Sequence, residues 1–100
     1  MDDLKLILVE HFCTMHEIEI EFIYTLNEYG LVDVHFKEDT GYLSIDDIKN
    51  VEKMMNFHFA LGVNMEGIDI INHLLGQIND LKQELNVAKN KLRFYEEIGS

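Results

Sequence analysis

The sequence contains no proline and no tryptophan, one cysteine and six glycines in 100 residues. Proline and glycine are the residues that most disfavour helix interiors, so their scarcity favours a mainly α-helical chain over a sandwich of short strands. Because Cys13 has no cysteine partner in the chain, no intrachain disulfide can form, and a reducing environment is expected. No apolar run approaches the ~20 residues of a membrane span, and the chain starts with acidic residues where a secretory signal is basic. We therefore expect a soluble, cytoplasmic protein.

Positive charge is also scarce. Eight Lys and Arg residues oppose nineteen Asp and Glu residues, which gives a formal net charge of −11. Twelve of the acids lie between Met1 and Asp47, where Lys5 and Lys37 are the two bases. Such a chain repels phosphate backbones and anionic lipid surfaces, so a basic protein suits it better as a partner. We expect the contact surface in the acidic half.

Catalytic patterns are missing as well. An enzyme needs a nucleophile beside a base, a carboxylate pair in a cleft or a glycine-rich phosphate loop, and none is evident, so we predict that the protein is not an enzyme. Cys13 and His16 have C-x-x-H spacing, but a closed zinc site needs about four ligands. The thiol, on an apolar helix, is better explained as part of the core. We expect neither a metal nor a cofactor.

The 100-residue chain, with 47% hydrophobic residues, is long enough for one buried core. Residues 4–8 (LKLIL) suit a short strand and residues 9–15 (VEHFCTM) a short helix. The segment EIEIEFIYTLNEYGLV (17–32) begins with strand-like alternation. Apolar residues in it nevertheless recur at helical spacing and are followed by Gly30, a typical residue just after a helix end. We predict a helix from about Ile18 to Tyr29.

A hairpin and a third helix follow. Residues 33–37 and 42–44 flank the turn residues EDTG (38–41), which predicts a two-stranded wing. Ser44 then has the pattern of a helix N-cap, followed by acids near the positive helix end. The helix should run to Gly62. Two apolar stripes would place it at the centre of the core: Ile48, Val51, Met55 and Phe59, and Met54, Phe57 and Leu61.

The last helix should begin after Asn64, a favourable N-cap, and continue to about Glu97. This divides the chain into a domain of residues 1–63 and a long helical segment of residues 64–100. A seven-residue repeat of apolar side chains runs along the helix, as in a coiled coil. The predicted seam consists of Ile71, Leu74, Ile78, Leu81, Leu85, Ala88, Leu92 and Tyr95. It could pack on its own domain, but a helix of this length extends beyond a body of this size, so we expect a homodimer. The direction of the paired helices is left open.

This order of elements resembles the MerR-type winged helix-turn-helix. Within it, the segments EHFC (10–13), EYGLV (28–32), LGVNMEGI (61–68) and LKQE (81–84) resemble the CbpM family of chaperone modulators. The resemblance covers nearly the whole chain. It implies a mainly α fold with a small wing and a long C-terminal coiled-coil helix. It also implies that the protein binds the J-domain of a DnaJ- or CbpA-type co-chaperone and inhibits its action on DnaK.

The second helix departs from DNA-reading MerR proteins, which carry Arg and Tyr at its middle and an Arg in the wing. Here Tyr24 and Thr25 occupy the middle, Glu28 stands where a further base is common, and the first arginine is Arg93. DNA contacts need Lys or Arg at the phosphates. The sequence therefore argues against nucleic acid as the partner.

A helical projection of this segment predicts the partner-binding residues. Carboxylates gather around two apolar residues on the side opposite the predicted core face. These residues are Glu17, Ile20, Glu21, Tyr24 and Glu28. The partner that the resemblance implies, a J-domain, engages DnaK with a basic helix, and we hypothesise that these five residues cover that helix. Asp2, Asp3, Glu38 and Asp39 are candidate extra contacts.

Three alternatives remain open at this stage. The carboxylates could simply solvate an exposed face. The protein could be a dimeric MerR-like transcription regulator that binds DNA, or a coiled-coil adaptor for another basic protein.

Overall fold

The computed structural model describes residues 5–99, which are mostly helical with one small antiparallel sheet. Along the chain the elements are β1 (Leu6–Leu8), α1 (Val9–His16), α2 (Ile20–Glu28), β2 (His35–Lys37), β3 (Thr40–Ser44), a 3₁₀ turn (Ile45–Asp47), α3 (Ile48–Met55), a π-helical segment (Asn56–Ala60) and α4 (Met65–Gly99). The predicted order of helices, wing and long last helix is confirmed.

A left-handed residue separates α1 from α2. Glu17 has φ 55°, and its N–H donates to the carbonyl of Thr14 at 3.3 Å while the N–H of Ile18 donates to that of Cys13 at 3.0 Å. These two bonds form a Schellman motif, in which glycine is the usual left-handed residue. Because this turn occupies residues 17–19, α2 begins at Ile20 and not at Ile18. The strand-like alternation of the sequence is therefore a turn followed by a helix.

The predicted two-stranded wing is confirmed, and the separately predicted first strand joins it to make a three-stranded sheet. β3 lies in the centre, paired antiparallel with β2 on one side and β1 on the other. Leu8 pairs with Tyr42 in the first ladder, and Lys37 pairs with Thr40 in the second. The hairpin prediction held because its signal is local, whereas the β1–β3 pairing joins segments more than thirty residues apart. Leu4, with which the predicted strand began, lies outside the described residues.

The hairpin turns at Glu38 and Asp39, whose φ angles are 50° and 67°. Two consecutive positive φ angles between paired strands are typical of a type I′ turn, which matches the twist of the strands. Gly41 was predicted to belong to this turn. It lies instead within β3, where it is buried beneath the side chain of Tyr24.

Gly41→Ala is expected to destabilise the protein by roughly 1–3 kcal/mol, the usual range for overpacking. A Cβ at this position would stand 2.6 Å from the hydroxyl oxygen of Tyr24 and 3.1 Å from a methyl of Val34. Because the nearer clash involves the hydroxyl, the cost of Gly41→Ala should be smaller in a Tyr24→Phe background. Urea unfolding of the four proteins in this double-mutant cycle measures both values. An equal loss in the two backgrounds would assign the clash to Val34.

Ser44 is an N-cap as predicted, but it caps the 3₁₀ turn Ile45–Asp47, and α3 begins after this turn at Ile48. The Ser44 hydroxyl accepts a hydrogen bond from the N–H of Asp46 at 3.2 Å. The predicted buried stripes are confirmed at Val51 and Met54, which are 0% and 1% exposed. The N-cap thus sets the register in which α3 turns its apolar side inward.

The end of this helix differs from the prediction. Phe59 and Leu61 were assigned to buried stripes, but they are 55% and 64% exposed. The π-helical segment explains the difference, since a π turn carries an additional residue and rotates later side chains away from the α-helical stripe. Gly62, with φ 70°, follows this segment as predicted.

The core of the N-terminal unit draws on both helices of the α1–α2 pair, on α3, on the sheet and on the first turn of α4. Its buried hydrophobic residues are Val9, Phe12, Cys13, Phe22, Ile23, Leu26, Leu31, Val32, Val34, Leu43, Val51, Met54 and Ile68.

The chain divides into two compact units, one ending at Asp69 and the other beginning at Ile70. Asn64 caps α4 as predicted, because its side-chain oxygen accepts from the N–H of Gly67 at 2.8 Å. None of the helices within residues 5–99 is long and apolar enough to cross a membrane.

The predicted seam lies along α4 in the second unit. Ile71 is half-buried and Ala88 is exposed. The other members are exposed as well: Leu74 (51%), Ile78 (48%), Leu81 (63%), Leu85 (53%), Leu92 (60%) and Tyr95 (68%). So much aligned apolar surface is typical of a helix with a partner.

Candidate functional site

Helix α2 separates its residues into a buried and an acidic side. Phe22, Ile23 and Leu26 are 7%, 0% and 0% exposed and anchor the helix in the core. Glu21 and Glu28 are exposed. The amphipathic pattern therefore orients α2 as the sequence predicted, with carboxylates towards solvent.

Ile20 and Tyr24 are less accessible than the helical projection predicted. Both are half-buried and pack against the core cluster. The Tyr24 ring stacks on Phe36 of β2, with centroids 6.0 Å apart and an interplanar angle of 14°. The projection considered α2 alone, whereas in the fold the wing packs beside these two residues. They form part of a pocket wall and not a free apolar patch.

This α2–wing pocket is a cavity of about 170 Å³ in the N-terminal unit. Its apolar walls come from four residues of three different elements. They are Leu8, Ile20, Tyr24 and Gly41. The close approach of Tyr24 to Gly41 gives the pocket its floor, since any larger residue in place of the glycine would collide with the tyrosine hydroxyl.

Two carboxylates also line the α2–wing pocket. Glu10 comes from the first turn of α1, and Asp39 comes from the tip of the wing. Neither belonged to the five predicted site residues, although Asp39 was considered as an extra contact. A pocket that combines apolar walls with two carboxylates and Thr40 has the chemistry to hold a Lys or Arg side chain. The aliphatic stem of such a side chain favours apolar walls, and its charged head favours carboxylates.

The other predicted carboxylates are spread around this site. Glu21 lies on the α1 side, where its charge acts on Cys13. Glu28 is at the far end of α2, next to Tyr29. Glu17 is the left-handed cap of α1 and lines a different groove. Of the five predicted residues, the structure brings Ile20 and Tyr24 together in one pocket. Asp2 and Asp3, two possible contacts, lie outside the described residues.

The ionised side chains of the α1–α2 pair have one sign of charge. From Leu6 to Phe36 the sequence holds six acids and no Lys or Arg, so the α1–α2 pair contributes only carboxylates and histidines to the charge of this unit. The acids were predicted to dominate here. A negative potential of this kind attracts cationic partners and accelerates their association.

The surroundings raise the pKa of two groups near α2. Burial, followed by the negative charge of Glu21, raises the pKa of the Cys13 thiol. Desolvation and then the carboxylate of Glu66, to which the hydroxyl donates a hydrogen bond, raise the pKa of Tyr29. A thiol with a raised pKa is a poor nucleophile and a poor metal ligand. Among the described residues, no three His, Cys, Asp or Glu side chains are placed to hold a metal ion.

The contribution of β1 and α1 to the pocket was not predicted from the sequence. Leu8 and Glu10 reach it because β1 pairs with β3, which brings the beginning of α1 beside the wing. The signal available was the short apolar run before α1, but its pairing partner lies more than thirty residues away. Local periodicity carries no information on such a pairing.

Comparison with protein families agrees with this architecture. Residues 7–90 match the family model described as MerR HTH family regulatory protein. No curated protein gives a significant match to the chain.

Proposed function

The chain belongs to the MerR HTH family of regulatory proteins, and we propose that it uses this fold to bind a protein, the J-domain of a DnaJ- or CbpA-type co-chaperone. In this proposal it acts in the cytoplasm as a chaperone modulator without catalytic activity. Binding to the J-domain keeps the co-chaperone from stimulating DnaK.

One observation carries the proposal. The segment from Leu6 to Phe36, which contains the α1–α2 pair, has no Lys or Arg and holds six acids instead. Nonspecific DNA affinity comes almost entirely from cationic contacts to phosphates. A surface with the opposite charge repels DNA and attracts a basic polypeptide.

The α2–wing pocket supports a basic partner at the level of single side chains. Its walls of Ile20 and Tyr24 bury an aliphatic stem, while Glu10 and Asp39 neutralise a charged head. Pockets that desolvate a side chain contribute more to affinity than exposed charges around them, which chiefly steer the approach. In the proposal, the pocket anchors one basic residue of the J-domain helix that contacts DnaK, and Glu21 and Glu28 steer the helix towards it.

The exposed seam of α4 supports a second part of the proposal, a homodimer. Most of the stability of a protein helix comes from packing of its apolar face, and the seam of α4 is exposed in a single chain. Pairing with the same seam of a second copy buries those residues. The dimer presents two α2–wing pockets and thus engages two co-chaperone molecules or one dimeric co-chaperone.

The functional test is an ATPase measurement. The assay uses purified DnaK and the J-domain co-chaperones of the source cell. The protein should bind at least one of these co-chaperones and lower the ATPase rate that it stimulates, to a degree that rises with the concentration of the added protein. DnaK alone should hydrolyse ATP at an unchanged rate. The DNA-binding alternative predicts a gel shift at low salt, where phosphate contacts are strongest. A shift on DNA without any effect on the ATPase would overturn the proposal.

A further inference from the structure

A second concave surface lies on the N-terminal unit, between the α1–α2 turn and the end of α3. It is an open groove of about 580 Å³. Ile18, Met55 and Phe59 supply its apolar surface, and His16, Glu17 and Glu52 supply its polar groups. We name it the α1–α3 groove. It shares no lining residue with the α2–wing pocket.

Phe59 gives the groove an aromatic wall that is both exposed and held in place. Its side chain is 55% exposed. Its ring centroid nevertheless lies 5.0 Å from that of Phe22, and 4.8 Å from that of His58 in an edge-on arrangement. His58 is itself fixed, because its Nδ1 lies 2.8 Å from the carbonyl oxygen of Val63. An aromatic ring with restricted rotamers loses little entropy when a partner covers it, which is typical of binding hot spots.

The π-helical segment is the reason that Phe59 faces outward. In a regular α-helix it would follow the stripe of Val51 and Met55 into the core, as its spacing predicts. Helix segments of this kind are frequent at functional sites. Met55, which is half-buried beside it, is a flexible side chain that adapts to the shape of an apolar ligand.

The charges of the groove identify the kind of occupant. Glu17 and Glu52 line it, and none of the described residues that line it is a Lys or Arg. The carboxylate of Glu52 is 3.9 Å from the ring nitrogen Nε2 of His16. The backbone of Glu17 is in the left-handed conformation, with φ 55°, in which glycine would be less strained. The groove therefore combines an apolar floor with a negative rim.

We infer that the α1–α3 groove is a second docking surface, which takes an apolar side chain from a basic, helical segment of a protein partner. An apolar anchor covers Phe59 and Met55, and neighbouring Lys or Arg residues of the same segment pair with Glu17 and Glu52. This is the helix-in-groove mode of recognition, with charge complementarity at the rim. The inference goes beyond the proposed function and does not depend on the J-domain assignment.

The test uses a synthetic amphipathic peptide of leucine, lysine and alanine about 18 residues long, above the ~12–15 residues below which isolated helices are marginal. It is titrated into the isotopically labelled full chain and followed by NMR. Addition of the peptide should shift the NMR signals of Ile18, the Met55 methyl and Phe59. Glu52→Lys should raise the Kd for the peptide about tenfold. Asp33→Lys makes the same charge change outside the groove and should leave the Kd within about twofold. Phe59→Ala should abolish the shifts at Met55.

Several results would overturn the inference. An equal loss of peptide affinity in Glu52→Lys and Asp33→Lys would show that the peptide is held by the net charge of the protein and not by the groove. Shifts confined to the α4 seam would place the peptide on the coiled-coil surface. A change of molecular mass on Phe59→Ala, measured by sedimentation equilibrium, would show that a second copy of the chain fills the groove. Because none of these measurements involves a J-domain, they are independent of the ATPase test.

Discussion

Replacing Leu81 and Leu85 with lysine is expected to dissociate the proposed dimer into monomers at micromolar concentration. Both side chains are more than half exposed on α4 and lie at successive positions of the seam. In a paired seam each ammonium would be buried without a counter-charge, which costs about 3–5 kcal/mol. This corresponds to an increase of the dimer dissociation constant by roughly a hundredfold to several thousandfold per substitution. Sedimentation equilibrium measures it directly.

The matched control is Gln83→Lys, which adds the same side chain between the two leucines. In the seven-residue repeat Gln83 faces away from the seam, so the dimer mass should not change. A wild-type protein that is monomeric at the concentrations at which the protein acts would contradict the dimer. Circular dichroism adds a second readout, since an unpaired α4 should lose helicity when the dimer dissociates.

The double substitution Glu21→Lys and Glu28→Lys is expected to lower the association rate with the J-domain by roughly tenfold or more at low salt, because steering charges act mainly on that rate. The salt dependence of association should flatten at the same time. Both side chains are exposed, so the fold should tolerate the change. Stopped-flow or surface-based kinetics at two salt concentrations measures the effect.

A control with the same change of net charge separates local steering from the charge of the whole molecule. Asp80→Lys with Glu97→Lys alters the charge equally, but both residues lie on α4 outside its seam. This control should retain most of the association rate. Equal effects of the two double variants would remove α2 from the interface, whereas an unchanged rate in both would remove electrostatic steering altogether.

The elements with local signals were predictable from the sequence. Helix α2 followed from the spacing of Phe22 and Leu26 and from Gly30, and α4 followed from its cap at Asn64. These signals depend on contacts within one or two turns of the chain, so one segment is enough to reveal them. The wing hairpin, with its two-residue turn, belongs to the same group.

The site was less predictable, because it depends on distant parts of the chain. The projection of α2 identified Ile20 and Tyr24 but gave no information on the sheet that half-buries them. Glu10 lines the pocket because β1 pairs with β3. Phe59 lies outside its predicted buried stripe because of the π-helical segment. Each difference comes from packing between elements or from a local change of helix type, neither of which alters the hydrophobic pattern of the sequence.

The three-stranded sheet has a consequence for the thermodynamics of recognition. Because β3 is hydrogen-bonded along both edges, the support of Asp39 is already ordered before any partner arrives. A flexible wing hairpin would lose conformational entropy when a partner binds, and that loss would weaken the complex. Here the loss of conformational entropy is mainly that of the partner's side chains, so the wing can bind without rearrangement of its backbone.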